Sequence, residues 1–223
     1  IFSIMPRKNI VTNFKIYERQ NFFFGFHDKS PWSYDNKYLL AHRFDCSNRL
    51  PAKTDFIQVG YFKGNGWDEF VMIDETNAWN WQTGSMLQWV GDSHDFIFNI
   101  YDKNIHRSKI FNINGIEKSH YDCPIAAVSS NGLYAVSYSF NRQKSSIGAL
   151  AYGYATGHDQ NKLVDLPKNE YLQLLDLSTG AVHKIISLHE IVRYKTDKTM
   201  KGAFHYFTHT LFSPNSKRLL FFH

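Results

Sequence analysis

Eleven histidines occur in 223 residues, and several stand beside carboxamides and aromatics at comparable positions. Four segments carry the pattern: Phe24-Gly25-Phe26-His27-Asp28-Lys29, Asn77-Ala78-Trp79-Asn80-Trp81-Gln82-Thr83-Gly84, Ser119-His120-Tyr121-Asp122-Cys123-Pro124 and Phe204-His205-Tyr206-Phe207-Thr208-His209. Each leads into an apolar run. Neutral imidazole is a common ligand for divalent metals. His205 and His209 share one face if their segment is a strand. Gln82 and Asp122 are further candidate ligands or hydrogen-bond partners. An ion held there would act as a Lewis acid on a carboxylate or developing enolate. His27 is then the candidate general base, because imidazole titrates near neutrality. The alternative is structural: polar residues on inner strands bridge neighbouring sheets through buried hydrogen bonds.

The aromatic residues suggest a second kind of chemistry. Trp79, Trp81 and Trp89 crowd one region. A stacking platform for sugar rings is one reading and core packing is the other. Trp79, with Asn80 beside it, is expected to be the most exposed, and Trp89 to be core. Arg43, Arg49 and Lys53 fall on a loop predicted to open on the same face. So does the segment 141–170, with Arg142, Lys144, Tyr152, Tyr154 and His158. Trp79, Asn80, Arg43 and Tyr154 are the candidate substrate contacts. A basic face would suit a carboxylated or sulfated glycan, although the charges are equally readable as solvated.

These residues must be positioned by strands. Four segments repeat one plan of apolar strand, tight polar turn and second apolar strand. They are Ser30–Leu40, MLQWV-GDSHD-FIFNIY (86–101), IAAVS-SNG-LYAVSYSF (125–140) and Leu211–Phe222. Asn, Asp, Gly and Ser supply turn conformations that β-branched residues resist. Outer hairpins follow at 55–74, 105–121 and 171–188. Serial four-stranded units at roughly 40–45 residues are the signature of β-propeller blades. The expected fold is all-β: four-stranded antiparallel blades at 24–75, 76–122, 123–200 (with the insertion 141–170) and an incomplete 201–223. Unrelated hairpins in a sandwich are the competing fold. HKIISLHEIVRY (183–194) has helical spacing but reads as a last strand plus connector. The insertion, with its GALAYGYATG run (148–157), reads as a lid or a surface loop.

Composition narrows the remaining classes. With 43% hydrophobic and 20% charged residues, the chain is neither a disordered tail, a collagen-like fibre nor a coiled coil. The net charge of +5 is spread along the sequence, without the clustering or motifs of nucleic-acid modules. Cys46 and Cys123 form no CxxC pair, so no zinc knuckle or disulfide framework is indicated. No apolar run is long enough to span a bilayer. IFSIMPRKNI at the start lacks a signal-peptide core. Compartment stays open between a bacterial cytoplasm and periplasm, and oligomeric state is not legible. Because the chain stops inside an apolar run, about three and a half blades of a six- to eight-bladed ring are expected. The alternative is a four-bladed closure using VTNFKIY (11–17) and NFFFGF (21–26) as outer strands.

The turns SPWSYDNKYLL and FSPNSKRLLFF resemble the repeats of TolB-like propellers, relatives of the WD-repeat family that lack its Trp-Asp signature. That resemblance covers most of the chain and implies fold rather than function. His205-Tyr206-Phe207-Thr208-His209, followed by the SPN turn and FFH, is similar to part of the pattern of oligogalacturonate lyases. Those propellers bind a divalent metal through His and Gln. The similarity implies Mn or Ca at His205, His209 and Gln82 and a carbohydrate lyase activity. The alternative function is a non-catalytic scaffold that binds a protein ligand on the loop face.

Overall fold

A computed structural model describes residues 22–44, 49–64, 66, 69–147, 153–194 and 196–223, and the side chains of 146 and 147 lie outside that set. Strands pair with their sequence neighbours throughout. The first sheet is β1 (Phe22–Phe23), β2 (Leu39–Arg43), β3 (Ile57–Lys63) and β4 (Glu69–Thr76). The second is β5 (Gln88–Trp89), β6 (Asp95–Asp102), β7 (Ile105–Asn112) and β8 (Glu117–Tyr121). The third is β9 (Ala127–Val128), β10 (Tyr134–Ser137), β11 (Tyr171–Asp176) and β12 (Val182–Ser187), and a two-stranded sheet follows with β13 (Thr208–Phe212) and β14 (Leu219–Phe222). All pairings are antiparallel. The chain is therefore dominated by serial antiparallel sheets, as the repeated hairpins implied.

One hydrogen-bonded device closes three of the four first turns. Ser33 Oγ donates to Asp35 Oδ1 at 2.8 Å and accepts from the Tyr38 amide. Ser129 does the same with Asn131 and Tyr134, and Ser213 with Asn215 and Arg218. Such side-chain caps satisfy turn amides that no ladder reaches. Positive φ follows at Asn36, Gly132 and Ser216. The second sheet substitutes Ser93, which bonds the Val90 carbonyl and the Asp95 amide, with Gly91 at φ 56°.

The core lies between sheets rather than within one. Leu40, Val59 and Tyr61 of the first sheet bury against Phe96, Phe98 and Phe111 of the second. Ile97, Ile110 and Tyr121 of the second pack with Ala127, Val136, Leu172 and Leu175 of the third, and Phe207 extends that cluster towards β13. Each large apolar side chain buried this way contributes about 1.5–3 kcal/mol. Polar bridges add register. Asn99, fully buried, donates to the Ile125 carbonyl and to Tyr154 Oη, and accepts from the Ile125 amide. Thr76 Oγ1 donates to the Asn99 carbonyl. These bridges start from the second and fourth strands of their sheets, β6 and β4, rather than from the innermost strands.

Two expectations are corrected. Residues 183–194 do begin as a strand, β12, but the connector is a helix, α2 (Leu188–Arg193). It starts with a capping box in which the Ser187 hydroxyl accepts from the Glu190 amide and the Glu190 carboxylate accepts from the Ser187 amide. The described part of the insertion is no loose lid either. It opens with helix α1 (Phe140–Ile147) and is fastened by Arg142, whose Nε, Nη1 and Nη2 donate to the carbonyls of His205, Asn161 and Asp165. VTNFKIY (11–17), Cys46 and residues 148–152 fall outside the described residues.

Candidate functional site

The turn ahead of β2 and the first strands of the other three sheets, β5, β9 and β13, converge on one groove of about 520 Å³. Trp32, Tyr34, Asp28 and Lys29 come from the first sheet's lead-in and turn, Gln88 and Trp89 from β5, Val128 and Ser129 from β9 and its turn, and Leu211 and Phe212 from β13. Trp32 is 42% exposed and Tyr34 57%. Both are held by local chemistry. Trp32 bridges to Leu39 across the turn. The rings of Tyr34, Tyr38 and Trp89 gather around His94 at 5.1, 4.9 and 6.5 Å. The Trp89 indole donates to the Pro31 carbonyl at 2.9 Å, leaving its ring in the groove wall. Large apolar side chains exposed together in a concave, partly polar site mark a binding surface.

Asp28 and Lys29 continue from this groove into a tighter space shared with Phe26, Gln143, Thr208 and His209. Lys29 Nζ pairs with Asp28 Oδ2 at 2.7 Å. Burial pushes the Lys29 ammonium pKa down, and the Asp28 carboxylate opposes that shift. His209 sits at a register shift of the β13–β14 pair with φ 45°, a left-handed conformation that is uncommon for a side-chain-bearing residue. The bulge turns its ring edge-on to Phe26 at 5.5 Å. Gln143 Nε2 donates to Thr208 Oγ1, which is then free to donate to His209 Nδ1 at 2.9 Å. Burial lowers the His209 pKa; Asp28 counteracts this, and Lys29 and His27 reinforce it.

The residues singled out from sequence separate into two groups. His27 is exposed and packs on Phe26 at 4.2 Å, so His27 and His209 flank one ring. His205 is buried and engaged at both ring nitrogens: Nε2 lies 3.1 Å from the Met200 carbonyl and Nδ1 2.9 Å from His223 Nε2. Gln82 is exposed, and its amide caps the turn by donating to Asn80 Oδ1. Thus His205 has both ring nitrogens on protein partners, and the Gln82 backbone amide is spent on a turn. Among the described residues, no group of three or more His, Cys, Asp or Glu side chains could hold a metal ion.

Trp79 is completely buried, with its indole donating to the Asp55 carbonyl at 2.9 Å. The exposed ring of that lead-in is Trp81, which donates to the Arg49 carbonyl. Asn80 is buried as the hinge of the Asn80–Gly84 turn, accepting from Gln82 and Thr83. Tyr154 is fully buried against Phe140, with rings 4.7 Å apart and nearly parallel. Trp79, Asn80 and Tyr154 are thus all buried by packing within the protein. Arg43 lies half-buried on β2, opposite Phe22 and Gln58. Arg142, expected at a mouth, is buried instead. Trp32, Tyr34, Asp28 and Lys29 were not singled out. The available signal was the adjacency of Asp28-Lys29 to His27 and the aromatics inside the SPWSY turn.

No family model matches the chain, and no curated protein matches it. Among solved structures it is similar to a variant of the AtxE2 isopeptidase with Astexin3-dC4 bound, at TM-score 0.43 and 13% identity over 80% of this chain and 32% of that one. The same isopeptidase in its apo form gives TM-score 0.38 and 12% identity over 79% of this chain and 32% of that one. The chain thus spans about a third of the length of both structures. Likeness at this level assigns no activity.

Proposed function

We propose that the chain is an arc of a β-propeller and binds a neutral oligosaccharide in the groove between the turn ahead of β2 and strands β5, β9 and β13. The propeller reading is supported by the serial meanders, the repeated Ser–Asx turns and the inter-sheet cores. The ligand reading is carried by one observation: Trp32, Tyr34 and Trp89 line one concavity with Asp28, Ser129, Ser130 and Asp92. Flat aromatic faces accept the C–H faces of sugar rings, and the polar groups between them accept hydroxyl hydrogens. Charge argues for a neutral sugar over the anionic glycan expected from sequence. Lys29 is the groove's cation, and Asp28 already neutralises it, which leaves Asp92 as an excess negative charge. The function proposed is binding rather than metal-assisted lysis, because His205 spends both nitrogens on protein partners.

The test is a titration of the purified protein with cellotetraose, chitotetraose, maltotetraose and tetragalacturonate, read by tryptophan emission. At least one neutral tetrasaccharide should saturate with Kd below about 1 mM, and Trp32→Ala should abolish the response. Binding of tetragalacturonate alone, no saccharide binding, or wild-type affinity in Trp32→Ala would each overturn the proposal. Selective capture of peptides at Trp32 and Tyr34 would favour the scaffold instead.

A further inference from the structure

A second groove, of about 370 Å³, lies between the second and third sheets under the insertion. Its lining is rich in oxygen acceptors: Asn141, Asp159, Asn161 and Glu170 all face it. Asp159 is 5% exposed, and its Oδ1 accepts the Asn161 amide at 2.8 Å. Its Oδ2 is buried and accepts no hydrogen bond, with Arg142 Nη1 3.6 Å away. Asn141 Oδ1 is likewise buried without a donor. Buried acceptors left without a donor cost about 1–3 kcal/mol each and call for one. Arg142 spends three of its five N–H groups on backbone carbonyls and reaches Asp159 Oδ2 only at 3.6 Å, an ion pair beyond hydrogen-bond distance.

The charge count asks for the same thing. Of the three carboxylates lining the groove, Asp122 pairs with Arg107, and Arg142 alone faces the other two, Asp159 and Glu170. Glu170 sits beside Asp159, hydrogen-bonded by the Asn161 side chain. Burial, and then the Asp159 charge, push its pKa up to about 7 against the opposing pull of Arg142. A bound cation would supply both the missing charge and the missing donors. The groove is far larger than a bare ion, and no cluster of three metal-binding side chains forms among the described residues.

We propose that this groove binds an organic cation, a primary ammonium or guanidinium group, between Asp159 and Glu170. Such a group offers several N–H donors in one head. Binding keeps Glu170 ionised, so it releases a proton when it occurs near neutrality. The charged neighbours of Glu170 are Asp159 and Arg142; His106, His158, Asp122, Cys123, Tyr138 and Tyr171 line the rest of the groove.

The test is calorimetric titration of the folded protein with agmatine and n-butylammonium at pH 8 and pH 5.5, in buffers of differing ionisation heat. Saturable binding at pH 8 with Kd below about 1 mM, proton release, and weaker binding at pH 5.5 are expected. Glu170→Gln should bind at least about tenfold more weakly and release no proton, with its melting curve confirming that it folds. Asn141→Ala, which removes a neutral acceptor and no charge, should weaken binding less. No saturable binding of either cation at pH 8, or wild-type affinity in Glu170→Gln, would overturn the proposal. So would Ca²⁺ displacing both cations stoichiometrically.

Discussion

The indole N–H of Trp89 donates to the carbonyl of Pro31 at 2.9 Å, joining the first strand of the second sheet to the first turn of the first. The bond fixes the Trp89 ring in the groove wall while Trp32, on the residue after Pro31, stays open to solvent. One aromatic is therefore both structural and ligand-facing, and its neighbour Trp32, 42% exposed, also lines the groove. The two roles should separate experimentally. Trp89→Phe keeps the ring but removes the donor, and should lower unfolding free energy by about 0.5–1.5 kcal/mol. Trp32→Ala should change stability by less than about 0.5 kcal/mol while removing saccharide binding. Urea denaturation of both variants checks this.

Arg142 should be the least replaceable charged residue of the insertion. It meets three backbone carbonyls and stacks 3.3 Å over the Phe204 ring. Arg142→Met strands those carbonyls and leaves Asp159 without a counter-charge, an expected loss of about 3–5 kcal/mol. Arg142→Lys offers a point charge in place of a planar fork and should also destabilise. Limited proteolysis at 153–170 should accelerate in both. Wild-type cleavage rates there would contradict the anchoring role.

Stability should rise as pH increases from about 4.5 to 6.5. His42 and His106 are buried, and burial lowers both to about 4. Their unfolded forms bind protons more readily in that window, so acid unfolds the chain as pH falls through it. Glu170 works the other way. Its raised pKa means the folded state holds the extra proton, and this contribution is lost as pH rises from about 4.5 to about 7. Glu170→Gln should therefore be more stable than wild type at pH 8 and nearly equal at pH 4.5, with a steeper rise between. Equal melting temperatures at pH 8 would contradict this.

Cys123 should be inert. It is buried, and burial raises its thiol to about 11. The thiolate is the reactive form, so iodoacetamide should leave the Cys123 peptide unlabelled in the native protein and label it after denaturation. Peptide mass spectrometry gives the readout.

The sheets were legible because turn chemistry is local. Ser33, Ser129 and Ser213 each bond an Asx two residues on, and the hydrophobic runs beside them can only be strands. Helix α2 was also written in the sequence, as Ser187 with Glu190 three residues later. The apolar alternation of β12 hid it. The site was harder to read, because which ring of a lead-in faces water depends on packing from another sheet. Trp79 and Trp81 are two residues apart, yet Phe23 and Phe44 both pack on Trp79 as well as on Trp81, and only Trp79 is sealed. The strand parity used to relate His205 to His209 does not apply, for a backbone reason. A strand would put both on one face, but His209 adopts φ 45° at a bulge and His205 precedes the strand.

The most direct test of the groove as a saccharide site is a crystal structure of the protein soaked with the tightest-binding neutral tetrasaccharide. The expected result is sugar rings stacked on Trp32 and Tyr34, with hydroxyls donating to Asp28 or Asp92. Ordered sugar elsewhere on the molecule, with the Trp32–Trp89 groove holding only solvent, would contradict it.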